Sequence, residues 1–596
     1  MTDPIRIANC SGFYGDQIDA AARMVRGGPI DALTGDWLAE LTMLILARTR
    51  AKRPGGGFAR TFVTQMEQVM GECLDRGIKV VSNAGGLDPD HCAEAVAEVA
   101  DKLGLNPTIA YVTGDDILAR LDELAAAGVP IIDFETGEPL AGLSDDHGFI
   151  SANAYLGCWG IVEALDAGAD IVVTGRTTDA AIVCGPAAQH HGWDRTDWNA
   201  LAGAVVAGHV IECGTQATGG NYSFFTELEG MDNPGFPIAE IAADGSSVIT
   251  KHPGTGGGVT VGTVTAQLLY EIGGPSYLGP DVASRFDTIC LTEEAPDRVA
   301  ISGVKGEPPP STLKVSMNSW GGYRSDLRVA LVGLDIEAKA ALTESVLWRS
   351  TPYGPDDLDA VSIEVDRTDK IDPPSNTEAT ATWRATVKDR DERKARSVAS
   401  AMNNMALASI PGFHGLPGTQ IAQPFGVHTS GLIAADLVPQ QVTTLGGSTT
   451  VIESTIDPGD AAVVDVNPMV PALPDPVAGP TRRAPLGTII GARSGDKGGN
   501  ANLGLFARSP VAYVWLAAEL TTDRLRELLP ETQGLEIERH EFPNIWSLNF
   551  LIHGILQEGV AASTRVDGQA KSLGEWIRAR LVDIPAALLP AETDPS

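Results

Sequence analysis

Positive charge is what this 596-residue sequence has least of. Its 43 Lys and Arg stand against 77 Asp and Glu, a net charge of −34. Nucleic acid is held by Lys and Arg that displace counterions from phosphates, so this deficit argues against a nucleic-acid partner. It argues equally against docking on an anionic membrane surface. Cysteine is sparse: seven residues, at 10, 73, 92, 158, 184, 213 and 290, an odd number with no CxxC pair. That excludes a disulfide framework and a zinc ribbon and fits a reduced cytoplasm. Long apolar runs are missing too. The most apolar early stretch, Trp37 to Ala47, is about three helical turns long, contains Glu40 and is too short to span a bilayer. The opening MTDPIRIANCSG has no basic segment leading into an apolar core, so no signal peptide is expected. HExxH, GxSxG, an EF-hand loop, a P-loop and GxGxxG are all absent, so neither a metal nor a cofactor is expected.

What remains is ordinary globular composition, 43% apolar and 20% charged, with an unusual 66 glycines. At ~150 residues per domain the length suggests about four modules. The first 185 residues repeat one theme, a short Val/Ile-rich run, a small polar loop and a helical run. The strand-like runs are 5–8, 30–33, 78–81, 108–112 and 171–173. The helical ones are 16–26, 36–50, 62–76, 89–103 and 117–127. Such alternation predicts right-handed βαβ units and a parallel sheet buried on both faces. The expected fold class is therefore α/β. A parallel-sheet domain over 1–235 would hold the site, and a mixed β-rich and α+β region would follow over 236–465. A Pro-rich linker is expected over 466–485. Residues 486–590 then read β-β-α-β-β-α, a compact α+β module.

Ligands of open parallel sheets bind past the carboxyl ends of the strands. There the sequence places Asn9 and Ser11, then Asp36, then Asn83, Gly85 and Gly86, and last Arg176 and Asp179. Any one of these loops reads as a turn or helix cap, while all together read as a site for a small anionic molecule. Asp36 and Glu40 are four apart and would share a helix face. Glu40 lies among apolar neighbours in WLAELTMLILA, which should raise its pKa and suit it to general acid or base work. His209 precedes Glu212 by three residues and Cys213 by four, an arrangement that suits an oriented acid–base histidine. Gly219, Gly220 and Asn221 would offer free backbone N–H groups to an oxyanion. Arg176 beside a helix start suits a carboxylate or phosphate. The loop from Arg493 to Asn500, with Asp496 and Lys497, could bind an anion. Asp145, Asp146 and His147 read as a solvated loop rather than a metal cluster.

Long stretches carry a family resemblance. They are IRIANCSGFYGD, GGPIDALTGDWLAELTMLILAR, GIKVVSNAGGLDP, ADIVVTGRTTDAAIV, AGHVIECGTQATGGN, GFPIAEI and LLYEIGGPSYLGPDV, with GARSGDKGGNANLG and HEFPNIWSLNF in the last module. The chain resembles the acyclic terpene utilisation AtuA family over nearly its whole length, and its last module resembles that family's small ferredoxin-like C-terminal domain. The resemblance implies a place in the breakdown of citronellol, geraniol and related branched acids as coenzyme A thioesters. It carries over no catalytic residues. The expectation is a cytoplasmic lyase or hydratase acting next to a thioester carbonyl, with coenzyme A entering as part of the substrate. Asp36 or Glu40 would be the base, His209 with Glu212 the acid, and Arg176 the holder of a substrate carboxylate. A homo-oligomer is expected, and the family's gene setting suggests association with a biotin-dependent acyl-CoA carboxylase. The alternative is a noncatalytic accessory protein that binds an acyl thioester or that carboxylase.

Overall fold

The computed structural model describes residues 3–140, 148–454 and 466–590, so Asp145, Asp146 and His147 lie outside the described residues. The chain forms two compact units. One comprises Met1–Asn318, His428–Val560 and Gln569–Ser596, the other Ser319–Val427 and Ala561–Gly568. Compactness thus divides the chain elsewhere than at 235 and 465.

The first unit is built on an eleven-stranded sheet. Its centre is five parallel strands in the spatial order Ile5–Asn9, Ala32–Gly35, Lys79–Ser82, Ile171–Thr174 and Ile109–Thr113. These are the five expected runs, most of them shifted one or two residues toward the carboxyl side. Antiparallel strands continue the sheet at both edges. Pro237–Ile241 pairs with the first strand, and Gln440–Thr444 pairs with Ile109–Thr113. The central strands alternate cleanly between two cores. Ile7, Ala32, Val81, Val172 and Ala110 enter one, whereas Ala8, Leu33, Val80, Val173 and Ile109 enter the other.

Crossover handedness decides which helices cover which face. The first three connections step one way along the sheet, and their helices Ala20–Gly27, Arg60–Arg76 and Pro89–Leu103 build the second core. The chain then steps back from Ile109–Thr113 to Ile171–Thr174. Its next helices, Trp159–Asp166, Ala181–His191 and Trp198–Ile211, therefore lie on the opposite face. Lys79–Ser82 and Ile171–Thr174 are neighbours whose chains leave toward opposite faces. That divergence opens a crevice at their carboxyl ends.

Residues 490–552 of the same unit form a second, antiparallel sheet in the order Ile490–Lys497, Asn500–Ala507, Ser547–Ile552 and Ile537–Phe542. Pro510–Glu519, Thr522–Leu528 and Leu573–Arg578 are its helices, around a separate core that includes Leu503, Leu516 and Phe550. The order is the expected β-β-α-β-β-α, with two helices where one was read. The last five residues assigned to the linker, Thr481–Pro485, are instead a strand paired with Leu581–Pro585. Their alternating side chains give a strand pattern that the prolines around them obscure.

In the second unit, Tyr323 to Val332 of the strand Thr312–Val332 pair with Thr380–Asp389, which pairs with Ala360–Asp366. The helices Ile336–Arg349 and Glu392–Ala401 contribute to its core with Trp383 and Leu347. Among the described residues no helix is long and apolar enough to cross a membrane.

Candidate functional site

Arg176 follows the strand Ile171–Thr174 and is only 2% exposed. Its backbone N–H donates to Asp115 Oδ2 at 2.9 Å, and Asn153 donates to the same oxygen at 2.8 Å. Gly175 leaves the space this carboxyl occupies, since a Cβ there would lie 2.3 Å from Asp115 Oδ1. Burial pushes Asp115 up to about 7 in spite of these hydrogen bonds. The guanidinium lies 4.2 Å from the Tyr155 ring centre, donates to the Leu38 carbonyl at 3.1 Å and pairs with Asp179 at 2.8 Å. Burial works against its charge, but Tyr155, Asp179, Glu40 and Asp36 together hold it above its ordinary range. Its Nε is buried without a partner.

Asp36 follows the strand Ala32–Gly35. Asn83, at the end of Lys79–Ser82, donates its amide to the Asp36 carboxylate and accepts from the Trp37 N–H at 2.8 Å. Burial first, then the charge of Asp179, hold Asp36 well above the usual carboxylate range. Glu212 closes the helix Trp198–Ile211. It is raised in the same way, by burial and by Asp179, Asp36 and Glu271. Its Oε1 is 3.6 Å from His209 Nδ1, while its Oε2 and both ring nitrogens of His209 are buried without a hydrogen-bond partner. Burial takes His209 down to about 4, and its ring packs against Tyr277 and Phe286, 5.3 and 5.5 Å between centres. It is a neutral imidazole at neutral pH.

Glu40 departs from expectation in two ways. The helix starts at Glu40, so Asp36 precedes it in extended chain, and the two do not share a helix face. Nor is Glu40 raised. Burial pushes it up, but Lys314, His428, Arg176 and a 2.7 Å hydrogen bond from Tyr155 outweigh burial and leave it well below its ordinary value. The apolar neighbours in sequence are not its neighbours in space. Lys314 Nζ lies 3.5 Å from Glu40 Oε1 and 5.0 Å from the Tyr155 ring centre. His428, hydrogen-bonded to Ser316 at 3.1 Å, is pushed down by burial to about 4.

Carboxylates, cations and tyrosines thus meet at the rim where the strand ends and the helix end converge. The family model described as acyclic terpene utilisation family protein AtuA matches residues 5–444, and that of the AtuA ferredoxin-like domain matches residues 484–583. The chain belongs to the AtuA family. Comparisons with curated proteins and with solved structures give no significant match.

The AtuA ferredoxin-like domain reaches the same rim. Arg493 lies 4.2 Å from the Tyr270 ring centre and donates to Gln216. Asp496 pairs with Lys571 at 3.1 Å, and burial pushes it up to about 6. Lys497 donates to the Glu271 carbonyl at 3.1 Å. Asn502 and Asn549, both fully buried, grip the chain around Glu271. Asn502 donates to the Leu269 carbonyl at 2.9 Å and accepts from the Glu271 N–H at 2.8 Å, while Asn549 donates to the Gly273 carbonyl at 2.6 Å. Glu271 is held at φ +57, a left-handed conformation uncommon for a residue with a Cβ.

Several predicted residues hold the site without facing a ligand. The Asn9 amide donates to the carbonyls of Ser11, Ile211 and Glu212 at 2.8–2.9 Å, which fixes the helix end, and the Ser11 hydroxyl donates to Phe13 O at 3.1 Å. Gly85 and Gly86 serve packing, because a Cβ would lie 2.5 Å from the Thr174 carbonyl at the first and 2.5 Å from Leu46 Cδ1 at the second. The N–H groups of Gly219 and Gly220 are spent on the Gln216 and Thr215 carbonyls at 3.1 and 2.9 Å, and Asn221 is exposed. The two glycines of that loop therefore have no N–H group free for an oxyanion. Cys213 is no nucleophile, since burial and nearby carboxylates push its thiol well up. Tyr155, Glu271, Tyr277, Lys314, His428 and Lys571 were missed. Glu271 and Tyr277 sit in LLYEIGGPSYLGPDV, where two glycines and a proline beside a lone Glu signalled a constrained turn.

Proposed function

We propose that this AtuA family member is a cytoplasmic enzyme of branched, acyclic terpenoid acid breakdown that performs lyase or hydratase chemistry on an acyl-CoA-type substrate. The observation that carries the reading is the trio Asp36, Asp179 and Glu212, each raised first by burial and then by nearby carboxylates, beside a buried Arg176 whose Nε has no partner. Carboxyls that repel one another's charge share protons as a group, so one can serve as acid while another accepts a proton. Glu212, with a free Oε2 beside a neutral His209, is the acid. Asp36, oriented by Asn83, is the base for the proton next to the thioester carbonyl. Arg176 Nε holds the substrate carboxylate or the enolate oxygen, since the N–H groups of Gly219 and Gly220 are already engaged. Glu40, tied to Lys314 and Tyr155, keeps that aromatic–cation wall in place and moves no proton. Metabolite profiling of a deletion strain grown on branched acids tests the setting, since a blocked step accumulates its thioester. On that thioester, Glu212→Gln should lower kcat at least about a hundredfold, the usual worth of an acid–base group. Unchanged turnover would refute the assignment.

A further inference from the structure

Lys497 ends the strand Ile490–Lys497 at a hairpin tip set by backbone. Gly498 turns at φ +66, and a Cβ on Gly499 would lie 2.5 Å from the Gln557 carbonyl. The ammonium is aimed at the Glu271 carbonyl, 3.1 Å away, on the left-handed residue that Asn502 holds from the same sheet. Three other cations of the rim are matched by carboxylates, whereas Arg493 has Gln216 and the Tyr270 ring. Arg176 has Asp179 at 2.8 Å, Lys314 has Glu40 at 3.5 Å, and Lys571 has Asp496 at 3.1 Å and Glu271 at 3.5 Å. Lys497 takes a neutral carbonyl instead, and no ion pair to it is found among the described residues. Of the charged groups that face it, Lys314 disfavours its proton, whereas Glu271, Glu40 and Glu135 favour it, and the neutral His209 stands nearby. Burial, then Lys314, outweigh the carboxylates and bring its ammonium down to about 8. A half-buried amine without a counter-ion, next to a second cation, is the arrangement that makes a lysine nucleophilic.

We propose that Lys497 is a carbonyl-capturing amine, forming an imine with a ketone or aldehyde group of a substrate whose carboxylate lies on Arg176. This rests on the reading of the rim as a substrate site, and it narrows the substrate to an oxo-acid derivative. The neutral amine's lone pair bonds to the carbonyl carbon, the C=O pair moves onto oxygen, and that oxygen takes a proton from the nitrogen. The C–O bond then breaks. Hydroxyl leaves as water with a proton from a carboxylic acid of the cluster, and a protonated C=N bond remains. It accepts the electron pair released when a neighbouring C–C or C–H bond breaks. Hydrolysis later returns the amine, so no oxidant or reductant is consumed.

Reductive trapping tests this without turnover. Full-length protein is incubated at pH 7 with levulinate, a keto-carboxylate, and cyanoborohydride, and its peptides are weighed. Lys497 should be alkylated at least about tenfold faster than the exposed Lys102, as its larger neutral fraction requires. Lys314→Met should cut that advantage severalfold, because removing a like charge raises the proton affinity of Lys497. Lys497→Arg should melt like the wild type and lose the adduct. Labelling no faster than at Lys102, or unmoved by Lys314→Met, would overturn the proposal. Glu212→Gln should still be trapped, so the failure of the acid–base assignment and the failure of this one read out separately.

Discussion

At the scale of single residues, the rim is a balance of buried charges, and pH should expose it. His209 and His428 both sit at about 4 in the folded chain, against an ordinary 6.5. As pH falls from 6.5 toward 4 the unfolded chain takes up protons that the folded chain refuses. The stability these two histidines contribute is therefore lost on acidification through that window, whereas the raised carboxyls Asp115 and Asp496 contribute with the opposite sign. Urea unfolding isolates this when wild type is compared with His428→Gln: relative to the wild type, the variant should gain about 2 kcal/mol of stability between pH 7 and pH 5. Residues at strand ends, such as Asp36, Asn83 and Arg176, were legible in the sequence because the fold class alone says where strand ends gather, and Glu212 was legible from its helical spacing to His209. The direction of Glu40 was not, because Lys314 and His428, which set it, arrive from strands hundreds of residues away. No local window contains them.

At the scale of elements, glycines decide how closely loops approach. Gly175→Ala would drive a Cβ into Asp115, so it should cost about 1–3 kcal/mol and displace the Arg176 backbone, with turnover lost beyond what the stability change explains. Gly71→Ala is the control. It lies in the helix Arg60–Arg76 with nothing closer than 3.8 Å, and should be neutral or raise the melting temperature. The five parallel strands could be read from Val and Ile runs because both their faces are buried. The antiparallel strands that extend the sheet were less legible, since their pairing depends on edges the local pattern does not reveal. The strand Thr481–Pro485 was hidden by prolines, which read as linker until Leu581–Pro585 is seen to pair with it.

At the scale of the whole molecule, the ferredoxin-like domain belongs to the site rather than to a separate body. Asn502 and Asn549 hold the backbone from Leu269 to Gly273, so replacing both with Ala should speed amide exchange across that turn by orders of magnitude while the parallel sheet stays protected. Exchange unchanged there would show that the turn holds itself. The sequence disclosed this module as a unit, by its own apolar pattern, but nothing in it said which surface it would cover.

The spatial order of the parallel strands has a consequence for how the protein comes together. Ile171–Thr174 lies between Lys79–Ser82 and Ile109–Thr113, both of which precede it in the chain. Those two cannot zip to each other without shutting out the strand that belongs between them. During synthesis the nascent sheet must wait with a slot open, and the segment bearing Arg176 is its keystone, so pairing that closes too early is a built-in route to misfolding.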